Sequence, residues 1–297
     1  MLSAGAEGQP RVERKGPVMA KILVGIDGSQ GSRAALRWAA GLGAALGLGL
    51  RALWAWQYPA DTVVQLGRAV LPDAQQMDQL VKERLGKLVA EEVGAEGGSV
   101  VLQVARGPAA PALLKAALDG VALVVVGSRG RGGFKGLLLG SVSRQVCEFA
   151  PCPVVVLRDG RHAYSSGLAT ILVGVDGSAG AARAVDWVTS VADTAGAQVV
   201  VAHALPSRAK QGPEPGAPGQ HDLVQQWAQP LRDRGVPYRV ALAEGDPRVA
   251  LLEVADREDA DLVVVGSRGR GPVTALVLGS VAASLAQHGQ RPTAIVH

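Results

Sequence analysis

The sequence predicts an α/β protein built from two similar domains, each a five-stranded parallel sheet with helices on both faces. Three observations predict it. First, the chain repeats itself: Lys21-Ile-Leu-Val-Gly-Ile-Asp-Gly-Ser29 returns as Thr170-Ile-Leu-Val-Gly-Val-Asp-Gly-Ser178, and Leu123-Val-Val-Val-Gly-Ser-Arg-Gly-Arg-Gly132 returns as Leu262-Val-Val-Val-Gly-Ser-Arg-Gly-Arg-Gly271. Second, short runs of Val, Leu and Ile alternate with stretches of helical periodicity. That is the pattern of strands buried on both faces between covering helices. Third, 48% of residues are hydrophobic but only 3% aromatic, so the cores are aliphatic.

The repeat is a duplicated domain, because solenoid repeats run only roughly 20–50 residues. Its offset is 149 from Lys21 to Thr170 and 139 from Leu123 to Leu262, so about ten residues are missing from the middle of the second half. Residues 1–20 carry Arg11, Arg14 and Lys15 without an apolar core of signal-peptide length and read as a flexible leader. Residues 21–158 form the first domain. Residues 159–168 are a linker with the turn formers Asp159-Gly160 and Ser165-Ser-Gly167. Residues 169–297 form the second domain.

In the first half, strands are expected near 21–26, 49–56, 99–105, 122–127 and 153–157, and helices near 30–47, 73–94, 109–119 and 140–149. Ser29 and Ser178 stand where they can cap the first helix of each half. Ala35, Trp38, Ala39 and Leu42 share one face of that helix, so Trp38 and its repeat Trp187 read as core. The second half follows the same order of five strands and four helices, with strands near 170–175, 198–204, 237–243, 261–266 and 293–297. Its Pro/Gly-rich stretch from Pro206 to Gly219 reads as a mobile loop, where the first half has a more apolar connection from Tyr58 to Leu71.

A length of 297 residues fits two domains, and a net charge of +4 is a mild imbalance. Lys and Arg form no stripe and aromatics are scarce, so no nucleic-acid surface is expected. Cys147 and Cys152 lack CxxC spacing, which disfavours zinc and leaves two reduced, half-buried thiols. Every apolar run is broken before 18 residues, so no membrane span is expected and a cytoplasmic protein follows by default.

The stretch that carries chemistry is Gly127-Ser-Arg-Gly-Arg-Gly-Gly-Phe-Lys-Gly-Leu-Leu-Leu-Gly-Ser141. Two residues separate Gly127 from Gly130 and nine separate Gly130 from Gly140; Gly266, Gly269, Gly279 and Ser280 repeat that spacing. Glycines permit positive φ and close approach to an anion, and consecutive backbone N–H groups form an anion nest. Gly140-Ser141 falls where the fourth helix starts, and unpaired N–H groups and the helix dipole favour a phosphate there. The hydroxyls of Ser141 and Ser143 can donate, and Arg129, Arg131 and Lys135 add positive charge. No Gly-Lys-Ser/Thr occurs, and Gly25-Ile-Asp-Gly-Ser29 lacks GxGxxG spacing, so neither a Walker loop nor a dinucleotide fingerprint is present.

Gly-x2-Gly-x9-Gly-Ser after the fourth strand, with Val-Gly-x-Asp-Gly-Ser after the first, resembles the universal stress protein family in the tandem form of its ATP-binding branch. The resemblance covers Lys21 to His297. It implies strand order 3-2-1-4-5 in each domain, nucleotide between the ends of strands one and four, and pairing through the last strands, within the chain and in a homodimer. It implies that Asp27 and Asp176 contact the nucleoside end and that Ala55 and Ala204 offer backbone to adenine. Gly127, Gly130, Gly140 and Ser141 then hold ribose and phosphates, with Arg129, Val142 and Ser143 in the same set. Gly266, Gly269, Gly279 and Ser280 repeat the set, with Arg268 and Val281. The ligand implied is ATP, with ADP or AMP as alternatives. Magnesium would come with the nucleotide; no metal ligand set is expected from protein alone, and Asp27 or Asp176 would assist only through water. The second half departs from the pattern: Ala282 stands in place of Ser143, Thr274 in place of Lys135, and Pro272 stiffens the loop. A weaker hold on terminal phosphates is therefore expected there.

Catalysis is not written in the sequence. His162, His203, His221, His288 and His297 show no ligand spacing, and no Gly-x-Ser-x-Gly elbow occurs. His203 lies in an expected strand and reads as a satisfied core imidazole. Phosphoryl transfer needs a dedicated group to position the nucleophile, and none stands out. The leading reading is an ATP-binding sensor or regulatory protein of the stress response. A slow ATP hydrolase or phosphate-transferring enzyme, and a nucleotide-independent interaction scaffold, are the alternatives.

Overall fold

The computed structural model describes residues 21–58, 72–94, 100–132, 138–158, 168–205, 219–270 and 278–297. The expected leader, Lys135, Pro272, Thr274 and His162 lie outside these residues, as do nearly all of the linker and of the two long connections after the second strand of each half.

The first half runs β1 (Lys21–Ile26), α1 (Gln30–Leu46), β2 (Gly49–Trp56), α2 (Ala74–Val93), β3 (Val100–Arg106), α3 (Ala109–Ala117), β4 (Val121–Gly127), α4 (Ser141–Phe149) and β5 (Val154–Leu157). The second runs β6 (Thr170–Gly174), α5 (Ala179–Ala195), β7 (Gln198–Leu205), α6 (Gln220–Trp227), α7 (Gln229–Asp233), β8 (Tyr238–Glu244), α8 (Pro247–Arg257), β9 (Leu262–Gly266), α9 (Ser280–His288) and β10 (Thr293–Val296). Where one helix was expected after β7, two short ones stand. Pro230 stands in the first turn of the second of them; its ring removes the N–H that a continuous helix would need.

The helix ends follow local chemistry. The Ser29 and Ser178 hydroxyls accept from the N–H groups of Ser32 and Ala181, each at 3.2 Å. At the other ends of α1 and α5, Gly47 and Gly196 turn through the left-handed region at φ 66° and 69°, which glycine enters without a Cβ penalty.

The two expected five-stranded sheets are one ten-stranded sheet, in the order β3-β2-β1-β4-β5-β10-β9-β6-β7-β8. Neighbours run parallel within each half, and β5 meets β10 antiparallel, with Val155 opposite Ala294. In the joined sheet both strands are covered along their whole length, and the pairing satisfies N–H and C=O groups that an open edge would leave unpaired. Arg158 adds a bond between halves, donating to the carbonyl of Gln287 at 2.7 Å.

Two aliphatic cores cover the two faces. One joins Ile22, Val24, Leu36 and Leu85 to Ile171, Val185, Val224 and Leu231. The other joins Leu23, Leu113, Val124 and Val146 to Leu172, Val254, Val263 and Leu285. Each such side chain, when fully buried, stabilises the fold by roughly 1.5–3 kcal/mol before entropy is counted. Trp38 is buried in the first core, and Trp187 packs against it half-buried.

Candidate functional site

β1 lies between β2 and β4, and β6 between β7 and β9. The chain leaves these neighbours in opposite directions, which opens a crevice at the carboxyl ends of the strands. A cavity of about 520 Å³ fills the first crevice. Asp27, Ala55, Gly127, Arg129, Gly130, Gly140, Ser141, Val142 and Ser143 all line it, over a floor that includes Leu53 and Leu113. A cavity of about 400 Å³ fills the second, lined by Asp176, Ala204, Gly266, Arg268, Gly269, Gly279, Ser280 and Val281. Each half thus brings its expected site residues together.

The glycines stand there for closeness, not for φ. Among the described residues, the positive-φ glycines include Gly28 and Gly177, in the turns after β1 and β6, and none of the six in the Gly-x2-Gly-x9-Gly spacing. A methyl on Gly127 would meet the backbone of Gly31 at 2.7 Å, and one on Gly266 would strike the backbone of Gly180. These contacts seat β4 and β9 against the first turns of α1 and α5. A methyl on Gly130 would strike the Asp27 carboxylate, and one on Gly269 would meet the Asp176 carboxylate at 2.5 Å.

That carboxylate is a clasp. Asp27 Oδ1 accepts from the Ser29 N–H at 2.9 Å and the Ser29 hydroxyl at 2.6 Å, while Oδ2 accepts from the Arg131 N–H at 2.9 Å. Asp176 does the same with the N–H groups of Ser178 at 3.0 Å and Arg270 at 3.1 Å. Each aspartate ties the loop after its first strand to the glycine loop after its fourth. Burial pushes the Asp27 pKa up, but the bonds from the Ser29 hydroxyl, the Ser29 N–H and the Arg131 N–H together hold it below the ordinary value. Sequence reasoning missed this clasp. Its signal was the pairing of each Asp with the second glycine of each loop.

The anion-binding potential lies at the starts of α4 and α9. Gly140 and Gly279 cap them without any side-chain hydrogen bond, whereas serines cap α1 and α5. The first N–H groups of α4 and α9 therefore have no side-chain acceptor, and both helix starts line the cavities. Arg129 lines the first cavity, and its Nε is buried without a hydrogen-bond acceptor among the described residues. Ser143 departs from expectation. Its hydroxyl is buried and donates to the Gly127 carbonyl at 2.6 Å, so its proton braces β4 against α4 and is not available to a ligand.

His203 also departs from a plain core role. It is half-buried, lines the second cavity and sets Nδ1 2.7 Å from the Val175 carbonyl. Among the described residues, no group of three His, Cys, Asp or Glu could hold a metal ion, and no helix is long and apolar enough to cross a membrane. The Cys147 thiol is pushed up to about 12 by burial and by the nearby Glu148 charge, and burial pushes Cys152 to about 11.

The profile of the Universal stress protein family matches residues 19–158 and again residues 168–297. The chain belongs to the universal stress protein family. It is similar to a universal stress protein of Mycolicibacterium smegmatis, 32% identical over 289 residues that cover 93% of this chain and 96% of the relative. Universal stress protein Rv2623 of Mycobacterium tuberculosis is 31% identical over 291 residues, covering 92% and 95%. Among solved structures, a universal stress protein from Archaeoglobus fulgidus shares the fold, with a TM-score of 0.69 at 23% identity over 94% of this chain and 96% of that one.

Proposed function

We propose that the protein is an ATP-binding regulatory or sensor protein of the stress response, with one nucleotide pocket in each of the domains 21–158 and 169–297. One observation carries the reading: in both halves a helix start without a side-chain cap and a clasped glycine loop face the same cavity at the ends of β1 and β4 or of β6 and β9. An anionic ligand is what such an arrangement binds best. Volumes of about 520 and 400 Å³ lie in the usual range for small-molecule pockets, about 300–1,000 Å³.

In this reading Ala55 and Ala204 offer backbone to the base, Asp27 and Asp176 border the nucleoside, and the glycine loops with Ser141 and Ser280 take the phosphates. Arg129 and Arg268 add charge. ADP and AMP fit the same groups. Magnesium would be carried by the phosphates and water, because both oxygens of Asp27 already accept hydrogen bonds from the protein. Asp27 and Asp176 are the carboxylates among the described lining residues of their pockets, and both are engaged in clasps. Binding is therefore favoured over turnover. The β5–β10 ladder is taken as the pairing of the halves in solution, with a homodimer besides, in the cytoplasm.

Equilibrium dialysis with labelled ATP tests the assignment. Gly140→Val and Gly279→Val should each remove about one bound nucleotide per chain, and the double variant both. Full binding by the double variant would refute it.

A further inference from the structure

In the second glycine loop a side chain is stacked where its counterpart in the first has no aromatic partner among the described residues. Arg270 follows Gly269, lines the second cavity and lays its guanidinium 5.5 Å over the ring of Trp227, from α6. Trp227 is held on another side by His203, edge-on at 5.3 Å and 78°. A methyl on Gly177 would strike both Arg270 and Trp227, so the two side chains meet directly over the turn that follows β6. The backbone N–H of Arg270 is fixed as well, on Asp176.

The first half builds this corner differently. The residue matching His203 is Trp54, and its ring packs beneath Gly28. The guanidinium over Trp54 comes from Arg84 of α2, at 5.8 Å, not from the glycine loop. Arg131, the counterpart of Arg270 and exposed as Arg270 is, has no aromatic or acidic side-chain partner among the described residues.

We propose that Trp227 withholds Arg270 from the ligand, so that the second pocket discriminates less strongly than the first between nucleoside triphosphates and monophosphates. The inference rests on the nucleotide reading of these pockets. A free guanidinium turns toward added phosphate and gains charge-assisted hydrogen bonds. A guanidinium stacked on tryptophan must first give up a cation–π contact, strongest on that ring. Arg131 therefore adds to the hold on terminal phosphates, and Arg270 adds little until Trp227 is gone.

The test measures ATP and AMP affinities by calorimetry on the full chain. Gly130→Val silences the first pocket when the second is read, and Gly269→Val does the converse. Melting curves check that each variant folds. Arg131→Gln should lower the ATP preference of the first pocket about tenfold. Arg270→Gln should change that of the second less than about twofold. Trp227→Leu should raise the second pocket's ATP preference about fivefold, and adding Arg270→Gln should abolish the rise. Trp227→Phe keeps most of the packing and should give a smaller rise of the same sign. An Arg270→Gln loss as large as that of Arg131→Gln overturns the proposal, and so does a rise that survives Arg270→Gln. In either case the nucleotide assignment stands. If the second pocket binds neither nucleotide in any variant, both readings of that pocket fall.

Discussion

Gly130→Ala isolates the clasp. The added methyl is aimed at Asp27 Oδ2, the oxygen that accepts the Arg131 N–H at 2.9 Å. The backbone of Gly130 does not need positive φ, so no conformational strain confuses the result. The carboxylate must swing away, and a hydrogen bond to a charged acceptor is lost. Such bonds contribute about 1.5–3 kcal/mol. The Arg131 N–H is near the surface, where water replaces part of the loss, so about 1.5 kcal/mol is expected. For a domain of this size that lowers the midpoint by roughly 3–6 °C. The larger effect should be on ligand, since the loop lining the first cavity loses its tie to β1. ATP affinity at that pocket should fall about tenfold or more while the second pocket keeps its own. Differential scanning calorimetry and two-site titration read both quantities. Wild-type stability together with wild-type affinity would refute the clasp as the element that sets the loop.

Three further outcomes follow from the same contacts. Ser143→Ala should cost about 1–2 kcal/mol, because it removes a hydrogen bond to the buried Gly127 carbonyl, while changing ATP affinity by less than about threefold; urea melts and titration check this. Asp27→Asn should destabilise the first domain at neutral pH. Because the folded pKa of Asp27 lies below its ordinary value of 3.8, the stabilisation is present above that value and lost as pH falls through the folded one. The gap between wild type and Asp27→Asn should thus close in acid below pH 3.8, and a constant gap would contradict it. Native protein at pH 8 should react slowly with thiol reagents, since Cys147 and Cys152 sit at about 12 and about 11, whereas denatured protein should react at once at both.

Much of the site was legible because duplication writes it twice. Two copies of Val-Gly-Ser-Arg-Gly after a Val-rich run placed the loops, and the serines after Asp27-Gly28 and Asp176-Gly177 placed the helix starts. What stayed hidden depends on atoms that meet across the fold. Gly31 and Gly180 seat Gly127 and Gly266, yet in sequence they are ordinary first-turn residues. The hydroxyl of Ser143 can donate to a ligand or to a carbonyl, and only the approach of β4 to α4 decides for Gly127. The joining of the two sheets was implied by the family resemblance alone and not by the residues of the last strands. Val154–Leu157 and Thr293–Val296 are short apolar runs, and such runs read the same at an edge and in a sheet interior.

In the proposed function both cavities hold adenine nucleotide. Freshly purified protein should be denatured, the released small molecules identified by mass, and the stripped, refolded chain titrated with ATP. Released adenine nucleotide is expected, with rebinding that approaches two per chain. No released nucleotide, together with no binding of added ATP, would contradict it.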